Sequence, residues 1–252
     1  TYINNGFAQM DLQLLDANGT LQQYLEEYRN YEKPEYAYPE FTERWNRIYE
    51  LGKKGYFAEG LAALNHTQSQ MQVLQGKAAM VPTGDWVENE MKSSAPDGFR
   101  WGFMAIPANE NPDQKRYISN SISAGGFLVW KNKPELNKKW AKEFILHMYN
   151  MERQVFNAEN AGIFPIRKDY GDDQARIDKM QGAPKSVMEY MKNNTSELIV
   201  LKRNKTRLAP ELSQASKLFN EQITNIALGK QDPKPIIEEA LALAMKGIES
   251  GQ

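Results

Sequence analysis

The 252-residue chain contains no cysteine, which excludes disulfides, thiolate metal sites and a cysteine nucleophile together. Histidine is nearly as scarce. His66 falls in a polar turn and His147 on a helix, a placement that makes no metal-ligand spacing. No apolar run approaches the roughly 18 residues that a membrane-spanning helix needs. Surplus charge is missing as well: 31 basic against 32 acidic residues leave −1, so no whole-chain field attracts nucleic acid or an anionic membrane. Repeats, low-complexity tracts, a Walker loop, G-x-G-x-x-G and G-x-S-x-G are all absent. With no catalytic constellation, the chain reads as a non-enzymatic protein that needs neither cofactor nor metal. It opens on Thr1 with no Met, basic n-region or apolar leader, which reads as a processed chain or a piece of a longer one.

Aromatic residues are what the chain has in quantity, with five Trp and twelve Tyr. Phe41, Trp45, Ile48 and Tyr49 recur at helical spacing after Pro39, and Gly52 and Gly55 are read as stopping that helix. Met71, Val73 and Leu74 predict a short helix capped at Thr67 and closed by Gly76. Leu136, Trp140, Phe144 and Met148 form one face of a strong helix after Pro134. A further helix ends at Gly162. The last two carry Leu212, Ala215, Phe219, Ile223 and Ile226, then Ile236, Ile237, Ala240, Leu241 and Ala244. Strands are expected at 78–81, at 99–105 by alternation, and at 123–130. Helices alternating with short strands predict an α/β fold. The polar stretches 108–116 and 168–185 are the expected passages between lobes.

One stretch, GKAAMVPTGDW from Gly76 to Trp86, stands out. Pro82, Thr83 and Gly84 break a short apolar run and deliver an acid and a tryptophan. Trp45, Trp101 and Trp140 lie on periodic apolar faces and read as core, and Trp130 fits either role. Trp86 comes after the run has ended, so it is either packing or a binding platform; spacing alone favours packing. Asp85, Glu88 and Glu90 are the nearest thing to paired catalytic carboxylates, and a carbohydrate-active enzyme using Asp85 and Glu88 is the alternative function.

The ordered motifs resemble the C-terminal portion of a family 1 extracellular solute-binding protein, the sugar-capturing subunit of ABC importers, of the maltose-binding type. Asn5-Gly6 and Asp16-Ala-Asn-Gly19 come first, then the Trp45 helix ending at Lys53-Lys-Gly55. Gln72-Val-Leu-Gln-Gly-Lys-Ala-Ala-Met80 and Gly84-Asp85-Trp86 match the family's F-x-x-G-K-A-A-M and G-x-W, with Leu74 in place of Phe. Trp101-Gly102, Ile106-Pro107, Ser123-Ala-Gly-Gly126, Asn132-Lys133 with Ala141-Lys-Glu-Phe-Ile145, Gly162 with Phe164-Pro165, and Ala227-Leu-Gly-Lys230 follow in order.

The resemblance implies a periplasmic-binding-protein-like type II fold, two α/β lobes with the ligand between them. Residues 1–121 and 174–252 would belong to the C-terminal lobe, and 122–173 would pass into the N-terminal lobe. It further implies a monomer that binds a sugar or oligosaccharide and docks on ABC permease subunits, with no nucleic-acid partner. The location would be extracellular, as a cell-surface lipoprotein or in the periplasm. Trp86 becomes the expected stacking platform, with Asp85 accepting from sugar hydroxyls and Gly84 in the same turn. Gly125 and Gly126 are a close backbone approach or a strand-entry kink. Tyr2 and Asn4 fall in the cleft-facing opening, and Arg203 is a ligand contact or a surface arginine. No Trp or Tyr follows Tyr190, so the resemblance supplies no second platform from that region.

Overall fold

In a computed structural model, the described residues are 2–57, 60–119, 127–199, 201, 203–204 and 208–250. Three helices open the chain, α1 (Tyr2–Phe7), α2 (Gln9–Ala17) and α3 (Leu21–Asn30), where the sequence suggests only a glycine-bearing lead-in. α4 (Pro39–Lys53) follows, with Pro39 at its first turn and Gly52 inside its last. α5 (His66–Leu74) is capped by Asn65 rather than Thr67. The Asn65 side chain accepts from the Gln68 amide while Gln68 accepts from the Asn65 amide, so the cap closes earlier in the chain than Thr67. α6 (Val87–Met91) starts directly behind the 84–86 turn.

The helical apolar stripes fold much as their periodicity requires. α11 (Pro210–Ala227) and α12 (Pro233–Glu249) pack on each other and on α4. Their Ala215, Phe219, Ile223, Ile226, Ile237, Ala240 and Ala244 enclose Phe41, Trp45 and Ile48, with Ile3, Phe7 and Met10 closing one side. A second core joins α2 and α3 to the two strands described here, β1 (Arg116–Ser119) and β2 (Ser196–Ile199). The strands run parallel, Arg116 opposite Ser196 and Ser119 opposite Ile199. The polar stretch 108–116 is tied down rather than loose: Gln13 of α2 donates to the Ile106 carbonyl, accepts from the Ala108 amide, and receives the Gln114 amide on its own carbonyl. Likewise α9 (Gln174–Lys179) and the start of α10 (Gly182–Asn193) bury Ile177, Met180 and Ala183.

The strand at 78–81 does not form, and neither does the one at 99–105. Residues 78–81 run as loop with Met80 exposed, because four small or flexible side chains bury too little to hold a backbone that has no ladder partner. Residues 99–105 keep the predicted alternation: Phe99, Trp101, Phe103 and Ala105 face inward, and Arg100, Gly102 and Met104 outward. What is missing is a neighbouring strand; the Phe103 amide donates to the Ser186 hydroxyl instead. Of 123–130, residues 123–126 lie outside the described set, and 127–130 are irregular. α7 (Glu135–Met148) forms where expected, yet none of its residues is buried, and Trp140, read as core, is 63% exposed. It touches α8 (Met151–Asn160), and Phe127 packs edge-on against its Phe144 ring. The α/β expectation therefore reduces to a mostly helical body with a small parallel sheet.

One ionic contact lies deep in this body. Arg44 Nε and Asp11 Oδ1 stand 3.0 Å apart without the alignment of a hydrogen bond, and both side chains are almost fully enclosed. Burial pushes the Asp11 carboxyl up to about 7, more than the Arg44 charge pulls it down. A carboxyl raised from 3.8 keeps its proton in the folded chain longer than in the unfolded one, so it costs stability as pH rises from about 4 to about 7. Thermal melts across that interval are expected to show this decline, and Asp11→Asn to flatten it.

Candidate functional site

The 84–86 turn is built around its glycine. The six-membered edge of the Trp86 indole folds back over Gly84, and a Cβ there would lie inside the ring. Gly84 is thus what allows the indole to lie along the turn, and the ring remains 40% exposed at the head of α6. Trp86 is neither core nor free surface: one face rests on backbone and another part meets solvent.

Asp85 is set from the far side of the chain. Its Oδ2 accepts the Phe164 amide at 2.6 Å, just beyond the Gly162 turn that ends the α8 segment. Burial pushes its carboxyl above the ordinary range, against the backbone amides of Phe164, Asp85 and Trp86 that hold it down. Glu88, one turn along, accepts the Ala183 amide at the start of α10. Both carboxylates of the conceivable catalytic pair are therefore occupied by backbone donors from separate elements, which makes them braces for the turn. Among the described residues no group of three or more His, Asp or Glu is gathered as metal ligands would be.

Tyr2 comes to the same region by a different route. Its ring lies against His66 at the head of α5, centroids 4.6 Å apart, and His66 Nε2 stands 2.8 Å from Glu90 Oε2 on α6. Tyr2 thus rests on α5, and His66 links it to α6, the helix that the Trp86 turn heads. Asn4 is directed elsewhere: its carbonyl and side-chain oxygens accept from Arg44 at 3.1 and 3.0 Å. Arg203 is directed elsewhere too. Its guanidinium is clasped between the Tyr28 and Tyr31 rings, 3.6 and 3.8 Å from their centroids, and donates to the Tyr28 carbonyl. Gly125 and Gly126 lie outside the described residues.

Sequence reasoning passed over Phe164 as a partner of Asp85, over Gln70, and over the link between His66, read as part of a polar turn, and Glu90. The His66/Gln70 pair was in principle visible, since residues four apart share a helix face once α5 is started at His66. Phe164 left no comparable signal, because a backbone amide donates whatever its side chain.

Residues 4–185 match the model of a family described as bacterial extracellular solute-binding protein. A protein of Brucella abortus (strain 2308) named as a binding protein is 22% identical over 194 residues, which cover 75% of this chain and 42% of that protein. A binding protein of Brucella suis biovar 1 (strain 1330) matches to the same extent. The chain thus spans under half the length of these curated relatives. No solved structure matches.

Proposed function

This chain belongs to the bacterial extracellular solute-binding proteins, and from that premise we propose that it is part of the substrate-binding subunit of an ABC importer for a sugar or oligosaccharide. The observation that carries the reading is Trp86, a tryptophan held half-exposed on a glycine turn and flanked by a braced carboxylate. The apolar face of a pyranose stacks on an indole while its hydroxyls need acceptors at the ring's edge, and Asp85 is such an acceptor. Tyr2 adds a second ring to the same wall. In this proposal the ligand closes two lobes upon itself through contacts made only in the closed form, and the closed form docks on permease subunits. The protein works as a monomer at the cell surface or in the periplasm.

The proposed lobes follow the sequence division, with 1–121 and 174–252 in one and 122–173 passing into the other. The stripe of α7, with Leu136, Trp140 and Phe144 exposed, supports it, since such an apolar face is the kind that a second lobe covers.

Titration calorimetry of the chain against linear oligosaccharides (maltotriose, cellotriose, xylotriose and raffinose) tests the reading. With one wall of a cleft presented, binding to at least one of them is expected, at a Kd of roughly millimolar order. Saturation by amino acids or short peptides, with no heat from any sugar, would overturn the sugar assignment.

A further inference from the structure

Behind Tyr2 and the 82–86 segment lies a polar cluster to which the binding reading assigns no task. His66 and Gln70 project from α5, and Glu90 from α6. Glu90 Oε2 lies 2.8 Å from both His66 Nε2 and Gln70 Nε2. Gln70 Nε2 is also 3.1 Å from His66 Nε2 and 3.4 Å from the Thr83 hydroxyl.

The proton inventory is constrained. An ionised carboxylate only accepts, so His66 Nε2 carries a hydrogen toward Glu90. The Gln70 amide then spends its two hydrogens on Glu90 and Thr83, and its approach to His66 is a contact between two donors. Turning that amide over would set its oxygen against the carboxylate instead. Gln70 is fully buried, and its carbonyl oxygen finds no protein donor in the arrangement adopted. The cluster is therefore held in place at the cost of one unsatisfied acceptor.

The cluster also touches both parts of the candidate wall. Tyr2 lies on the imidazole with ring planes inclined at 36°. On the same helix Gly6 meets Pro82 so closely that a Cβ would overlap the proline ring. Thr83, next in sequence, is the residue that Gln70 reaches.

We propose that His66 is a positioning residue that holds the Tyr2 ring beside the cluster that reaches Thr83, so that ring placement and oligosaccharide affinity change with the protonation of its imidazole. The affinity half of this inference rests on reading Tyr2 and Trp86 as a sugar-binding wall. With Nε2 already carrying a proton, a second one goes to Nδ1 and makes the ring a cation. The titratable groups set against it are Glu90 from α6 and Tyr2 from α1; Gln70, on its own helix, and Thr83 are neutral. Burial pushes the Glu90 carboxyl up, but the Gln70 and His66 bonds outweigh that and hold it below the ordinary range. Glu90 thus stays ionised where an imidazole takes up its second proton. The imidazolium then gains the carboxylate's attraction and a cation–π contact with Tyr2.

The test needs two measurements on the whole chain. In the first, the Tyr2 ring resonance, from ring-labelled tyrosine and assigned with Tyr2→Phe, is followed from pH 8 to 5.5. In the second, maltotriose is titrated by calorimetry at both ends of that range. The Tyr2 resonance is expected to shift along a histidine titration, and affinity to be about threefold higher at pH 5.5. His66→Gln, which keeps a donor for Glu90 but takes up no second proton, should abolish both responses. A Tyr2 resonance that stays flat in the native chain overturns the proposal without reference to any variant's folding. So does a pH response that survives in His66→Gln. If the resonance follows the imidazole while maltotriose gives no heat at either pH, the positioning role stands, and maltotriose binding by this wall is what fails.

Discussion

Trp45→Ala should lower the stability of the chain by about 3–5 kcal/mol and leave little cooperative unfolding to measure. Trp45 has no solvent exposure and sits where α4 meets α11, with the Phe219 ring 4.9 Å away at 73° and Phe41 beside it. Arg44, committed to Asp11 and Asn4, lies over the indole face at 5.2 Å, so the surroundings are poorly placed to collapse into the cavity. Trp45→Phe should be far milder, at under about 1.5 kcal/mol. The indole Nε1 is buried with no protein acceptor, so the smaller ring also removes an unpaired donor. Denaturant titration of the two variants checks both values, and equal losses would show that volume alone matters there.

Trp86→Ala is expected to behave in the opposite manner. The ring is 40% exposed and lies outside the clusters that hold α5, α6 and α10 together, so its loss should shift the melt by less than about 1 kcal/mol. Affinity for the sugar that binds should fall by about tenfold, the equivalent of about 1.4 kcal/mol, which is within what a stacked aromatic face contributes. Melting and calorimetry on one preparation decide the matter. An unstable variant whose folded fraction binds sugar normally would return Trp86 to the core.

How much of this could be read from residues depended on the range over which each feature is encoded. α4, α7, α11 and α12 were legible because a stripe repeated over four turns has few other meanings. Periodicity also gave the correct inward and outward sides of residues 99–105, but it could not supply the neighbouring strand, which is a fact about other parts of the chain. β1 and β2 are four residues each, too short for an alternation to register, and they meet across a long stretch of sequence. At the candidate site the Gly84-Asp85-Trp86 turn was visible as a motif. The hydrogen bond from the Ala183 amide to Glu88, and the pairing of Tyr2 with His66, depend on how α10 meets α6 and α1 meets α5. Arg203, which the resemblance offers as a ligand contact or a surface arginine, lies between two tyrosine rings from a distant part of the chain, a pairing that no local pattern encodes.

The enclosure of Trp45 also sets a schedule. α4 leaves the ribosome well before α11 and α12, the helices that cover it. At roughly 5–20 residues per second, the aromatic face of α4 waits on the order of ten seconds or more for Phe219 to emerge. Throughout that interval the nascent chain presents Phe41, Trp45 and Ile48 with no native partner from the far end, and so remains a substrate for holding factors. A stop codon ahead of α11 would yield a chain that stays in that state.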